Sequence, residues 1–137
     1  MTSEPDDDSQ VTRTDAEWRR TLTSAQYSIL RQHRTEPAGS SPLLSEHRTG
    51  TFVCAGCGLA LFSSDAKYDS GSGWPSFVTP CEGALATSAD VSHGMTRTEV
   101  RCRRCGGHLG HVFEDGPRPS GLRYCINGTA LTFSPAE

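Results

Sequence analysis

Two C-x-x-C-G knuckles, CAGCG at 54–58 and CRRCG at 102–106, restrict this chain more than any other feature. Each puts two thiolates on one tight turn, and the glycine after the second cysteine lets the backbone fold around an ion. Cys54, Cys57, Cys102 and Cys105 together are the donor set of a tetrahedral zinc site. A redox-active C-x-x-C of thioredoxin type would occur singly, before the helix of a βαβ unit. Four thiolates leave no position for a substrate. The expectation is one structural Zn2+ per chain, stapling two hairpins that are distant in sequence.

The segments around the knuckles read as strands. TFVC, LALFSS, TRTEVRC, HLGHVF, LRYCI and TALTF are short and separated by Gly, Pro, Asp and Ser. No strand–helix alternation appears, which argues against parallel α/β. Asn127-Gly128, between the last two segments, reads as a two-residue hairpin turn. Upstream, Thr14 with Glu17 and Thr23 with Gln26 fit capping boxes, so two short helices are predicted. Trp18 and Leu22 supply one apolar edge; Tyr27, Ile29 and Leu30 supply the next. Pro37, Gly39 and Pro42 then break the helical pattern and predict a surface strap. The fold class is mainly β and antiparallel, with short N-terminal helices.

Charge narrows the function. Formal net charge is −3, but four of the 16 acidic residues, Glu4, Asp6, Asp7 and Asp8, lie in the first ten positions. Residues 1–13 read as a disordered acidic tail and 14–137 as one domain of near-neutral charge. Such a domain lacks the basic surface that grips nucleic acid. No apolar run is long enough to span a membrane, and the start lacks the basic and apolar regions of a signal peptide. A cytoplasmic protein with ligand and reactive cysteines, rather than disulfides, is expected.

Cys81 and Cys125 remain outside the knuckles. Cys125, in RYCIN, is either a small buried hydrophobe or a reactive thiol. Arg123 lies two residues away on the same strand face, where its charge would favour thiolate. Asn127 joins that face or forms the turn. His108 and His111 are candidate acids and proton donors, or structural histidines; with four cysteines sufficient for zinc, ligation suits them less. Trp74, on the Gly/Pro-rich loop GWPSF, is a core anchor or a binding wall.

YDSGSGWPSF, SHGMTRTEVRC, CGGHLGHVFEDG and RYCIN, in this order and in register with both knuckles, resemble a B-type peptide-methionine (R)-S-oxide reductase from about Trp18 to Phe133. The resemblance implies two antiparallel sheets in a tent-like arrangement, with structural zinc opposite the active site. It also implies Cys125 as nucleophile beside Arg123, and Trp74 holding the S-methyl group. His108, His111 and Asn127 would surround the sulfoxide oxygen, and Phe113 would help wall the pocket. Cys125 would pass through a sulfenic acid. The implied partners are oxidised proteins bearing methionine-R-sulfoxide and thioredoxin or another thiol reductant, and nothing in the sequence demands more than a monomer. Many members carry a resolving cysteine two residues before the tryptophan; here that residue is Ser72. Cys81 is then the remaining thiol outside the knuckles and the nucleophile. The competing reading is a zinc-ribbon-like module binding nucleic acid or protein through Arg101, Arg103, Arg104 and Trp74.

Overall fold

The computed structural model describes residues 13–91 and 94–136. The acidic segment expected as a tail lies, but for Arg13, outside them. Both capping boxes form. Thr14 caps α1 (Asp15–Thr21) and Thr23 caps α2 (Ser24–Gln32), each with the reciprocal bond from the glutamate or glutamine three residues on. No helix among the described residues is long and apolar enough to cross a membrane.

Nine strands follow among the described residues: β1 (Gly50–Cys54), β2 (Ala60–Ser63), β3 (Lys67–Tyr68), β4 (Ser76–Phe77), β5 (Leu85–Asp90), β6 (Arg97–Cys102), β7 (His108–Phe113), β8 (Arg123–Ile126) and β9 (Leu131–Pro135). They form a three-stranded sheet ordered β2-β1-β9 and a six-stranded sheet ordered β3-β4-β8-β7-β6-β5. Every pairing is antiparallel. The fold is therefore mainly β with two antiparallel sheets, as expected. β5 was not anticipated. Its sequence LATSAD lacks the aromatic and β-branched run that marks a strand, and pairing with β6 over six residue pairs supplies what propensity does not.

The Asn127-Gly128 turn is a correction. β8 and β9 belong to different sheets, so these residues carry the chain from one to the other rather than closing a hairpin. Asn127 has φ −68°, and Gly128–Ala130 form a short 3-10 turn. Gly128 serves close approach: a Cβ there would lie 1.9 Å from Ser41 Oγ. The strap containing Ser41 packs directly onto the crossover.

Alternation divides the six-stranded sheet. Val100, Leu109 and Ile126 are fully buried on the core side. There Phe62 stacks on Phe77 with ring centroids 4.1 Å apart, and Phe52 meets Phe77 edge-on at 5.1 Å. The other face carries Ser88, Asp90, Glu99, His111, Arg123 and Cys125, brought side by side by the registers Ser88↔Glu99, Glu99↔His111 and His111↔Cys125. On a regular strand His108 and His111, three residues apart, would face opposite ways. A bulge prevents this. Val100 pairs with Gly110 but Arg101 with His108, so Leu109 is an extra residue and both imidazoles reach the polar face.

Candidate active site and metal centre

The knuckles occupy the β1–β2 and β6–β7 connections, one in each sheet. Gly58 and Gly106 adopt φ +81° and +75°, the left-handed conformation each turn needs. Their amides donate to the carbonyls of Cys54 and Cys102 at 2.8 Å. The four sulfurs of Cys54, Cys57, Cys102 and Cys105 lie within 4.8 Å of one another, with closest pairs at 3.6 and 3.5 Å. Zinc–sulfur bonds of about 2.3 Å in a tetrahedron set sulfurs about 3.8 Å apart, so the residues fit the ion without rearrangement. Cys54, Cys102 and Cys105 are buried and Cys57 partly so, with Trp18 packed beside Gly56 of the first knuckle.

The arginines that suggested a binding module are used internally. Arg103 Nη1 donates to Gly83 O at 3.1 Å, and Arg104 Nη1 to Cys57 O at 3.4 Å. Arg101 Nε lies 3.9 Å from Glu99 Oε1. Arg31 reaches over the Trp18 ring to Cys105 O.

A cavity of about 280 Å³ opens on the polar face of the larger sheet, lined among others by Trp74, His111, Phe113, Arg123, Cys125 and Asn127. The structure thus brings six of the seven expected site residues to one cavity. His108 is the exception. It lines an adjoining cavity with Glu99 and Asp90, and His111 and Arg97 line both.

Cys125 pairs with His111 on one side and Ser76 on the other, so its strand is held from both flanks. Burial pushes its thiol above the ordinary range, while the Arg123 charge and hydrogen bonds from Ser72 and Arg123 pull it down without prevailing. The thiolate expected from Arg123 alone is therefore opposed by the cavity. Arg123 is itself clamped to Asp115 at 2.9 and 3.2 Å and lies 4.5 Å over the Phe113 ring.

His111 Nε2 is 2.8 Å from Asp90 Oδ2, and His108 Nδ1 is 2.8 Å from Glu99 Oε2. Burial pushes His108 below the usual imidazole range, against the opposing pull of Glu99. Both ends of the Asn127 amide are engaged: Oδ1 accepts from Glu36 N at 3.0 Å and Nδ2 donates to Leu109 O at 2.9 Å. Asn127 therefore shapes the cavity through the backbone it ties together. Trp74 Nε1 donates to Glu36 O at 3.0 Å, which fixes its indole against the strap.

Sequence reasoning missed Glu36, Asp90, Arg97 and Glu99. Glu36 is buried on the strap, and its carboxylate accepts from Gly128 N at 3.0 Å and Thr129 N at 2.8 Å. Arg97 Nη2 donates to Asp90 at 3.3 Å, and its Nε is a buried donor with no partner among the described residues. Such charged residues in a strap or a polar strand look like solvated surface until the register is known. Cys81 does not line the cavity; its amide bonds Leu61 O at 2.8 Å, and its side chain packs on the core.

Residues 22–135 match the SelR domain family. A peptide methionine sulfoxide reductase MsrB of Leptospira interrogans is 57% identical over 125 residues, covering 90% of this chain and 95% of that protein. The protein of the same name from Bradyrhizobium diazoefficiens is 56% identical over 129 residues, 93% of each chain. That of Agrobacterium fabrum is 52% identical over 127 residues, covering 92% and 94%. The chain belongs to the SelR domain family, together with these MsrB relatives.

Proposed function

We propose that this chain reduces methionine sulfoxide in proteins, taking the R epimer, with Cys125 as the group that accepts the oxygen. The observation that carries the reading is the cavity itself. Its lining combines Cys125 with the apolar Trp74 and Phe113 and the polar Arg97 and His111. The names of the relatives support the same reaction.

A sulfoxide sulfur is a poor electrophile until its oxygen is protonated or strongly hydrogen-bonded. His111, held by Asp90, and Arg97, which lines the cavity, supply donors there. His108 supports His111 from the next cavity, with ring centroids 5.5 Å apart. Cys125 sulfur attacks the substrate sulfur, the S–O bond breaks, and oxygen and the thiol proton end as Cys125 sulfenic acid. Methionine leaves as the thioether. Two equivalents of an external thiol then return Cys125 to the thiol, releasing water and a disulfide. Ser72 carries a hydroxyl where a resolving thiol would have to be, so the reductant, thioredoxin or a smaller thiol, attacks the sulfenic acid directly. Cys54, Cys57, Cys102 and Cys105 would hold a zinc ion that would supply no chemistry and would tie the two sheets together. The chain acts as a monomer in this reading.

The epimer choice follows from shape. With methyl against Trp74 and oxygen toward the donors, only one configuration presents its sulfur to Cys125. The test is turnover of the two separated sulfoxide epimers of a blocked methionine, with dithiothreitol as reductant. The R epimer is expected to be consumed and the S epimer left. Equal consumption, or full activity in Cys125→Ser, overturns the proposal.

A further inference from the structure

The polar face holds a second cluster that this chemistry does not consume. Glu99 Oε2 lies 2.8 Å from His108 Nδ1 and 3.1 Å from His33 Nδ1. The two imidazole rings stack, with centroids 5.3 Å apart and planes at 26°. Two rings thus present the same nitrogen to one carboxylate oxygen. We propose that His33, Glu99 and His108 form a second metal site, separate from the four-cysteine centre, which takes a divalent transition metal such as zinc or cobalt. We further propose that its occupancy inhibits the reaction at Cys125.

The three donors are close enough together to share one ion. The three ligand atoms lie within 4.8 Å of one another. Zinc bonds to nitrogen and oxygen are about 2.0–2.2 Å, which sets tetrahedral donors about 3.3 Å apart. Against that spacing the two oxygen–nitrogen distances, 2.8 and 3.1 Å, need to open by only a few tenths of an ångström. Two imidazoles and one carboxylate select a borderline transition metal over magnesium or calcium, and they leave a fourth position for water.

The surroundings hold the donors in place. His33 ends α2 in the left-handed conformation, φ 57°, which turns the chain at the helix terminus. The other Glu99 oxygen accepts from Ser88 Oγ at 3.3 Å and faces Arg101, leaving Oε2 to the imidazoles. Burial is graded: the His108 side chain is 4% exposed, Glu99 12% and His33 60%. An ion can enter from the His33 side. Arg97 and Arg101 oppose a dication nearby, so this site binds more weakly than the four thiolates.

The effect on catalysis passes through His108. An ion there replaces its bond to Glu99 and adds positive charge beside His111. The binding claim stands independently of the reductase reading; the inhibition claim rests on it.

The test uses the full chain with the four-cysteine centre loaded with zinc, in thiol-free buffer. Titration with Co2+ is expected to show one further equivalent bound, with visible d–d bands and no thiolate-to-cobalt charge transfer. His33→Ala and Glu99→Gln should weaken that equivalent about tenfold or more. In a single turnover with one equivalent of sulfoxide, Co2+ should slow methionine formation in the parent protein. It should not do so in His33→Ala, whose metal-free rate should equal the parent's. No further equivalent in the parent, or equal binding in His33→Ala, overturns the site. Binding without inhibition in a protein active on the sulfoxide overturns its link to catalysis. A protein inactive without added metal refutes the reductase reading instead.

Discussion

Glu36 offers the sharpest test of how the cavity is held together. One residue of the strap makes four bonds: its carboxylate takes the amides of Gly128 and Thr129, its amide meets Asn127 Oδ1, and its carbonyl meets Trp74 Nε1. Glu36→Ala removes two charge-assisted bonds, each worth about 1.5–3 kcal/mol, and strands two amide donors at the crossover. The expected cost is about 3–5 kcal/mol, less where water replaces the carboxylate. Glu36→Gln keeps one acceptor oxygen and should cost roughly half as much. Urea unfolding should show a lower midpoint with an unchanged slope. Glu36 also acts on the nucleophile, since its negative charge raises the Cys125 thiol. Removing that charge should lower the thiol pKa, moving the iodoacetamide alkylation profile of Cys125 to lower pH. The two variants should therefore lose stability while gaining thiolate. Glu36→Ala within about 0.5 kcal/mol of the parent, with an unmoved alkylation profile, would refute the reasoning.

Three further outcomes are expected. Metal analysis should give one tightly held zinc, and Cys57→Ser should lower the unfolding midpoint well before the chemistry at Cys125 is lost; zinc-free protein with four freely titratable knuckle thiols would contradict this. Arg123→Ala removes a charge and a hydrogen bond that pull the Cys125 thiol down, so its pKa should rise further. The loss in kcat/KM should then be large at neutral pH and shrink as pH rises, and a loss independent of pH would exclude the thiolate role. One equivalent of substrate without reductant should leave a dimedone-reactive Cys125, and Cys81→Ser should retain dithiothreitol-supported turnover; a stoichiometric Cys81–Cys125 disulfide by mass spectrometry would rule this out.

What could be read from the sequence was local. Thr14 with Glu17 and Thr23 with Gln26 name their own partners three residues away, and each knuckle carries its ligands and its glycine within five residues. Cys125 and Arg123 share a face by simple alternation. The missing parts depend on pairing between distant segments. Glu99 and Asp90 become partners of the histidines only once β5, β6 and β7 are in register. Glu36 meets Gly128 across 92 positions. The Asn127-Gly128 pair misled because its turn propensity is local, whereas its role is set by which sheet each flanking strand joins. Arg123 was read correctly as a neighbour of Cys125, but burial, which no local pattern reveals, outweighs its charge.

The bulge at Leu109 has a consequence for how this sequence can vary. Deleting Leu109 would restore a regular ladder with the histidines two residues apart, so both imidazoles would stay on the polar face, but it would also remove a fully buried side chain from the layer of Val100 and Ile126. A buried leucine side chain is worth about 2–5 kcal/mol, more than the regular ladder returns. The two residues between the histidines are thus protected against deletion by the core on the far side of the sheet, independently of any demand from catalysis.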